Sequence, residues 1–308
     1  MGAVFAALLP VFLLIVCGAA LRRFLVHEEV YWRRIEWLVY YVLFPTLFIG
    51  TLARADFSTI PAGSVGVTLA AAVLLMSLVC LALRPILTSR LGVDGPAFTS
   101  VFQGATRWQT SVALAVAAAL FGEPGLALAA VGVVAMTPLL NVLNVWILAR
   151  YAAPDTPGLR GVGVTIAKNP FIWGITAGVV LNIFRVPLPD LFVNVISAIG
   201  RVALIAGLIT VGAGLRLAHF VPLRPVTWLS TSLKLVAMPA AAIALGAALG
   251  MRGIDLAVIA CCSSVPSTSS AYVLARQMGG DAALMAEIIT VQTLLAIVTM
   301  PVAIGLVS

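Results

Sequence analysis

The side chains of this chain with chemistry to offer are polar groups stranded inside long apolar runs. One run contains Gln103-Gly104-Ala105-Thr106-Arg107-Trp108-Gln109-Thr110-Ser111, six polar residues in nine positions. A second contains Ser263-Ser264-Val265-Pro266-Ser267-Thr268-Ser269-Ser270. Arg107 is the sharpest of these residues. It stands about eleven residues into its run, roughly 16 Å deep at 1.5 Å per residue, where an arginine costs on the order of 2.5–3.5 kcal/mol. Two arrangements offset that cost. Either a buried acid pairs with it, Glu287 and Asp255 being the candidates, or it faces a water-lined cavity and meets an anion. The guanidinium fork matches a carboxylate.

Pro266 removes a backbone donor and clashes with the preceding turn, so the second run should break near Val265. The backbone groups freed there need partners in a membrane, and the neighbouring hydroxyls can supply them. The plainer alternative is that these Ser and Thr residues only hold helices together. The expected anion-binding set is Gln103, Arg107, Gln109, Thr110 and Ser111 from the first run, with Ser264, Pro266, Ser267, Thr268 and Ser269 from the second. Asn141 and Asn144 form one polar stripe that lines the same site or bonds a neighbouring helix.

Lys234 and Glu287 fall at similar depth on two further runs, which suggests an ion pair or a proton-coupling role. Arg201 is expected to snorkel to the outer surface, and His27 and His219 to be solvated in loops. Gly174 and Gly178 make a small-xxx-small pair for close helix packing. Catalytic constellations are missing: no paired acids, Ser-His-Asp set or HExxH falls in an apolar run, and none of these runs holds a histidine. Enzyme chemistry, a metal site and a cofactor are therefore not expected. Cys17, Cys80, Cys261 and Cys262 lie in apolar runs without metal spacing or a plausible disulfide partner.

The elements that must position these groups follow from composition. Of 308 residues, 62% are hydrophobic and 9% charged, with a mean hydropathy of +1.14. No polar stretch is long enough for a soluble domain. The net charge of +7 is scattered in short loops, unlike a nucleic-acid footprint. A span needs roughly 20 apolar residues, and ten candidates occur at about 4–21, 36–53, 63–83, 96–121, 126–149, 165–184, 196–215, 226–249, 255–277 and 283–306. The fold class expected is an all-α polytopic membrane protein. Counting Lys168 and Arg276, at the ends of their spans, with the loops they border, odd-numbered loops carry 12 Lys or Arg and even-numbered loops 3, so the odd loops are cytoplasmic and both termini face outward.

A shift of 158 residues lays Leu91–Leu126 over Leu249–Leu284 without a gap, with nine identities in 36 positions. Gly92, Gly95, Thr110, Ser111 and Gly122 fall on Gly250, Gly253, Thr268, Ser269 and Gly280. Five spans separate the copies, so the second is inverted, an architecture used by many secondary transporters. The expected units are two inverted five-helix repeats, 1–150 and 160–308, with spans four and nine as broken helices at matching positions.

Together with this pattern, the chain resembles the auxin efflux carrier family, within the bile/arsenite/riboflavin transporter superfamily. The likeness rests on Asn169-Pro170, the run Gly200 to Leu215 with Gly212 and Gly214, Phe102-Gln103-Gly104 through Arg107-Trp108-Gln109-Thr110, Phe121-Gly122-Glu123, and above all Ser269 to Asp281. Relatives often carry Asn where Gln109 stands, and plant members a proline at the first crossing, where this chain has Gly104 and Trp108. The resemblance implies a scaffold from 1–57 and 165–218 and a transport domain from 63–150 and 226–307. Spans four and nine would cross, as in bile-acid symporters and sodium/proton antiporters. It also implies elevator-type movement of a small organic anion, such as a carboxylate or an auxin-like acid, and a homodimer through the scaffold. The location expected is the bacterial inner membrane, among its lipids. The alternatives are a Na⁺- or H⁺-coupled symporter of organic anions, then a channel or receptor.

Overall fold

The computed structural model describes residues 2–55, 62–152, 170–215 and 223–307, and all elements among them are helical. In chain order they are α1 (Gly2–Phe24), α2 (Glu29–Leu38), a π turn (Val39–Leu43), α3 (Phe44–Ala53), α4 (Ala62–Leu91), α5 (Gly95–Thr106) and α6 (Thr110–Tyr151). There follow α7 (Pro170–Ile183), α8 (Asp190–Ala213), α9 (Pro225–Ser232), a second π turn (Leu233–Ala237), α10 (Met238–Ala248), α11 (Ile254–Ser264), α12 (Ser269–Gln277) and α13 (Ala282–Gly305). Apolar residues on every face explain why helices form: in hydrocarbon only an internally bonded backbone is tolerated.

Seven helical stretches are long and apolar enough to cross a membrane, and the bent pair α11 and α12, with 42° between them, makes an eighth. One of the seven is the 57-residue stretch Gly95–Tyr151. At 1.5 Å per residue it would extend about 85 Å if straight, far beyond a bilayer. It is interrupted twice, at residues 107–109 and at Gly122, whose φ of 60° is open to glycine at no steric cost. The α7 helix has only 14 residues among those described. Asn169, expected to open that span with Pro170, lies outside the described residues, as do Lys168 and His219.

Both π turns have one cause. Pro45 and Pro239 follow them at the second residue of the next helix. A proline cannot donate and crowds the carbonyl four residues back, so the ladder widens by one residue there. The Phe44 amide donates to the Val39 carbonyl, and the Met238 amide to the Leu233 carbonyl.

Packing among the helices is governed by glycine. A Cβ on Gly174 would lie 2.6 Å from Pro45 Cα, and one on Gly178 would lie 2.8 Å from the Phe48 carbonyl oxygen. The small-xxx-small pair thus lets α7 touch the α3 backbone. One turn later, Asn182 Nδ2 donates to the carbonyls of Leu52, Ala53 and Ala55 at 3.0, 3.1 and 2.8 Å, closing the end of α3. Gly18 on α1 and Gly212 on α8 meet the backbones of Ile209 and Ile15 reciprocally. Arg22 Nη1 donates to the Ala213 carbonyl at 2.6 Å, placing a cation at the C-terminus of α8. Accordingly α3 packs on α7 and α8, and α1 on α8, while α4, α5, α6 and α9 to α13 pack chiefly on one another.

One polar pairing differs from expectation. Glu287 does not pair with Lys234. It accepts from the Arg224 amide at 2.8 Å and from Thr227 Oγ1 at 2.6 Å, with Arg224 Nε 3.7 Å away. The carboxylate therefore serves the N-terminus of α9, where amides are free and the dipole is positive. Glu287→Ala should lower stability by about 2 kcal/mol, since it strands a buried hydroxyl and a part-buried amide. Thermal melting of purified protein reads this, and Glu287→Gln should recover part of the loss. Lys234 is fully buried and its Nζ has no hydrogen-bond partner among the described residues. Arg201 lies eleven residues into α8, which begins at Asp190, and its side chain is exposed.

Candidate functional site

The two helix breaks have different local origins and the same backbone shape. At the second, Val265 precedes Pro266, and a residue before proline is pushed out of the helical region. Its φ and ψ are −66° and 150°. At the first, no proline is present, yet Arg107 has φ −68° and ψ 157°. Here Trp108 turns into the interior, 4% exposed, with its ring edge 3.5 Å from where Gly132 would carry a Cβ. A Cβ there would be in van der Waals contact with the ring, so a side chain larger than alanine's at 132 would crowd it. The last helical residues before the breaks, Thr106 and Ser264, are 158 positions apart in sequence.

Each break leaves orphan backbone groups, and all of the following are met inside the protein. Arg107 N–H donates to the Gln103 carbonyl at 2.9 Å. Ser267 Oγ donates to the same carbonyl at 3.4 Å. Further back, inside α5 rather than at its open end, Ser230 Oγ also donates to the Val101 carbonyl at 3.2 Å. Gln292, from the last helix, accepts from Ser267 N–H at 2.9 Å and donates to the Gly104 carbonyl at 3.0 Å.

Beyond the breaks, the chain restarts as α6 at Thr110 and as α12 at Ser269. Both N-termini border a cavity of about 960 Å³. Gln109, the N-cap of α6, makes no side-chain capping bond. Thr268 caps α12 only at 3.5 Å, to the Ser270 amide. Two positive helix ends thus border the same space.

Arg107 lies on the wall of this cavity, 8% exposed. Its Nη1 donates to Ser270 Oγ at 3.1 Å, and its buried Nε has no partner. Among the described residues no acid lies within ion-pair distance of it; Glu287 serves α9, and Asp255 sits in the first turn of α11. Of the two arrangements open from sequence, the structure has the cavity. The lining also includes the aromatics Trp37, Tyr40, Phe44 and Phe171, and the charged residues Arg22, Glu29, Arg33, Glu36 and Arg276.

The sequence-predicted residues separate into two groups. Arg107, Gln109, Thr110, Ser111, Asn141, Thr268 and Ser269 line the cavity. Gln103, Ser264, Pro266, Ser267 and Asn144 do not line it and are buried. Ser264 Oγ donates to the Cys261 carbonyl at 3.2 Å and Asn144 Nδ2 to the Leu140 carbonyl at 2.6 Å, so both serve their own helices. Sequence reasoning missed Ser270, Thr137 and the aromatic part of the lining, as well as Gln292. Ser270 was legible as the end of the hydroxyl run. The aromatics come from distant elements with no shared motif.

The class defined by this fold is a multi-pass helical membrane protein with a buried cation on the wall of a cavity. Residues 159–304 match the family model described as Membrane transport protein. That match supports the auxin efflux carrier family, whose members are transporters rather than enzymes. No curated protein matches the chain.

Proposed function

We propose that this protein is a secondary transporter that carries a small organic anion, a carboxylate or auxin-like acid, by alternating access. The observation that carries the reading is Arg107: a buried guanidinium without an acid partner, on a cavity bordered by two helix N-termini. A buried, unpaired cation is costly, and an anion in the cavity offsets the cost. Arg107 is the main contact, with Gln109, Thr110, Ser111, Thr268 and Ser269 bonding the remaining oxygens and Asn141 at the edge.

The full topology we infer has ten spans in two inverted repeats. Counting Gly95–Tyr151 as two, the α11–α12 pair as one and α7 as one brings the seven long stretches to ten. The matching breaks 158 residues apart favour the repeat. The closer packing of α1, α2, α3, α7 and α8 on one another than on the rest favours a scaffold and a moving unit, hence an elevator motion. The Lys and Arg distribution favours outward termini in an inner membrane.

Reconstitution into liposomes with labelled mono- and dicarboxylates, with and without Na⁺ and a pH gradient, tests the reading. Saturable uptake of at least one anion is expected. Uptake of none of them would overturn the carrier assignment, and strict Na⁺ dependence would replace it with the symporter.

A further inference from the structure

Gln292 is fully buried and lies off the cavity wall, yet its one amide group touches both helix breaks. Its Oε1 accepts from Ser267 N–H at 2.9 Å, two residues before the first residue of α12. Its Nε2 donates to the Gly104 carbonyl at 3.0 Å, in the last turn of α5, and lies 3.4 Å from the Ser230 carbonyl. The approach depends on Gly104, where a Cβ would meet Ser230 Oγ and come within 2.7 Å of Ile288 Cγ2. Helices α5, α9 and α13 are therefore in backbone-close contact where this amide works. The group uses a donor and an acceptor at once, and only an amide or a protonated carboxyl offers both at this length.

On the reading that the cavity takes an anion, we propose that Gln292 is a positioning residue that sets anion affinity. It does so by fixing the distance between Arg107, at the end of α5, and the amides of α12 that follow Ser267. Without it, the Ser267 amide and the Gly104 carbonyl both lose a buried partner, and neither has water to replace it. The two halves of the anion site then relax independently.

The test is a pair of substitutions. Gln292→Leu should weaken anion binding about ten- to a hundredfold, appearing as a raised KM with Vmax little changed. Gln292→Glu separates positioning from packing. As a carboxylate it still accepts from Ser267 but cannot donate to Gly104, so affinity is weak at high pH. Once protonated it donates and accepts as the amide does, so affinity returns toward wild type on acidification. Wild-type protein measured at each pH subtracts the native groups on the packed helices, Lys234, Cys261, Cys262 and Glu287 among them. Hydrogen exchange over 104–110 and 265–270 should rise in the leucine variant and in the deprotonated glutamate variant.

Wild-type affinity in Gln292→Leu overturns the proposal. So does a Gln292→Glu profile parallel to wild type, or a glutamate variant that fails to fold at every pH. A wild-type protein that binds no anion removes the carrier reading itself, which the wild-type arm reports separately.

Discussion

Arg107→Ala is expected to abolish anion uptake while leaving the protein at least as stable as the wild type. The two effects have one cause. Arg107 has no ion-pair partner among the described residues and a single side-chain bond, to Ser270 Oγ at 3.1 Å, so its removal strands no acid. It also relieves the cost of a buried charge, which apolar replacement of buried ionic groups commonly relieves. A bound carboxylate, in contrast, loses the buried counter-charge that stands between the two helix N-termini. Truncating one partner of a buried charge pair costs on the order of 3 kcal/mol, about a hundredfold in affinity. Arg107→Lys keeps the charge but loses the planar fork, so uptake should be intermediate. Uptake assays in liposomes and melting curves on the same preparations check both halves. Unchanged transport in Arg107→Ala would remove this residue from the site.

Gly178→Leu is expected to have the largest effect on stability. The position faces the backbone of α3, with the Phe48 carbonyl 2.8 Å, Leu52 Cβ 3.0 Å and Ile49 Cα 3.2 Å from a hypothetical Cβ. Backbone atoms of a packed helix cannot rotate aside as a side chain can. The helices must separate, and Asn182, one turn further on, then loses its three carbonyls. Overpacking of this kind costs about 1–3 kcal/mol by itself, and each lost buried bond adds about 1 kcal/mol. A drop of several degrees in melting temperature is expected, with Gly178→Ala smaller in effect. A leucine variant as stable as wild type would mean that α3 and α7 do not meet at Gly178.

Much of the architecture was legible because membranes impose simple rules. Apolar runs of 18 or more residues mark helices, and Pro266 forces Val265 out of helical geometry whatever surrounds it. The 158-residue match set Trp108 opposite Pro266 and so called for a break in the first polar run. Without a proline there it did not say at which residue; the structure has it at Arg107. The pairing of long polar side chains was not legible. Lys234 and Glu287 stand at similar depth, but a depth does not say which neighbour a carboxylate turns to. The Arg224 amide at the start of α9 and the Thr227 hydroxyl took Glu287 instead. Gln292 carried no pattern, since a lone glutamine in an apolar run reads the same whether it bridges two helices or bonds its own.

Returning to the polar run around Arg107, the sequence determined that a cation is buried beside a helix break, because its depth follows from residue count alone. It could not decide between an internal acid and an open space. Only the tertiary structure decided that, by turning Glu287 to α9 and by bringing the starts of α6 and α12 to one cavity lined in part by aromatics. The reason is physical: burial depends on distance along one helix, whereas pairing depends on which faces of different helices meet.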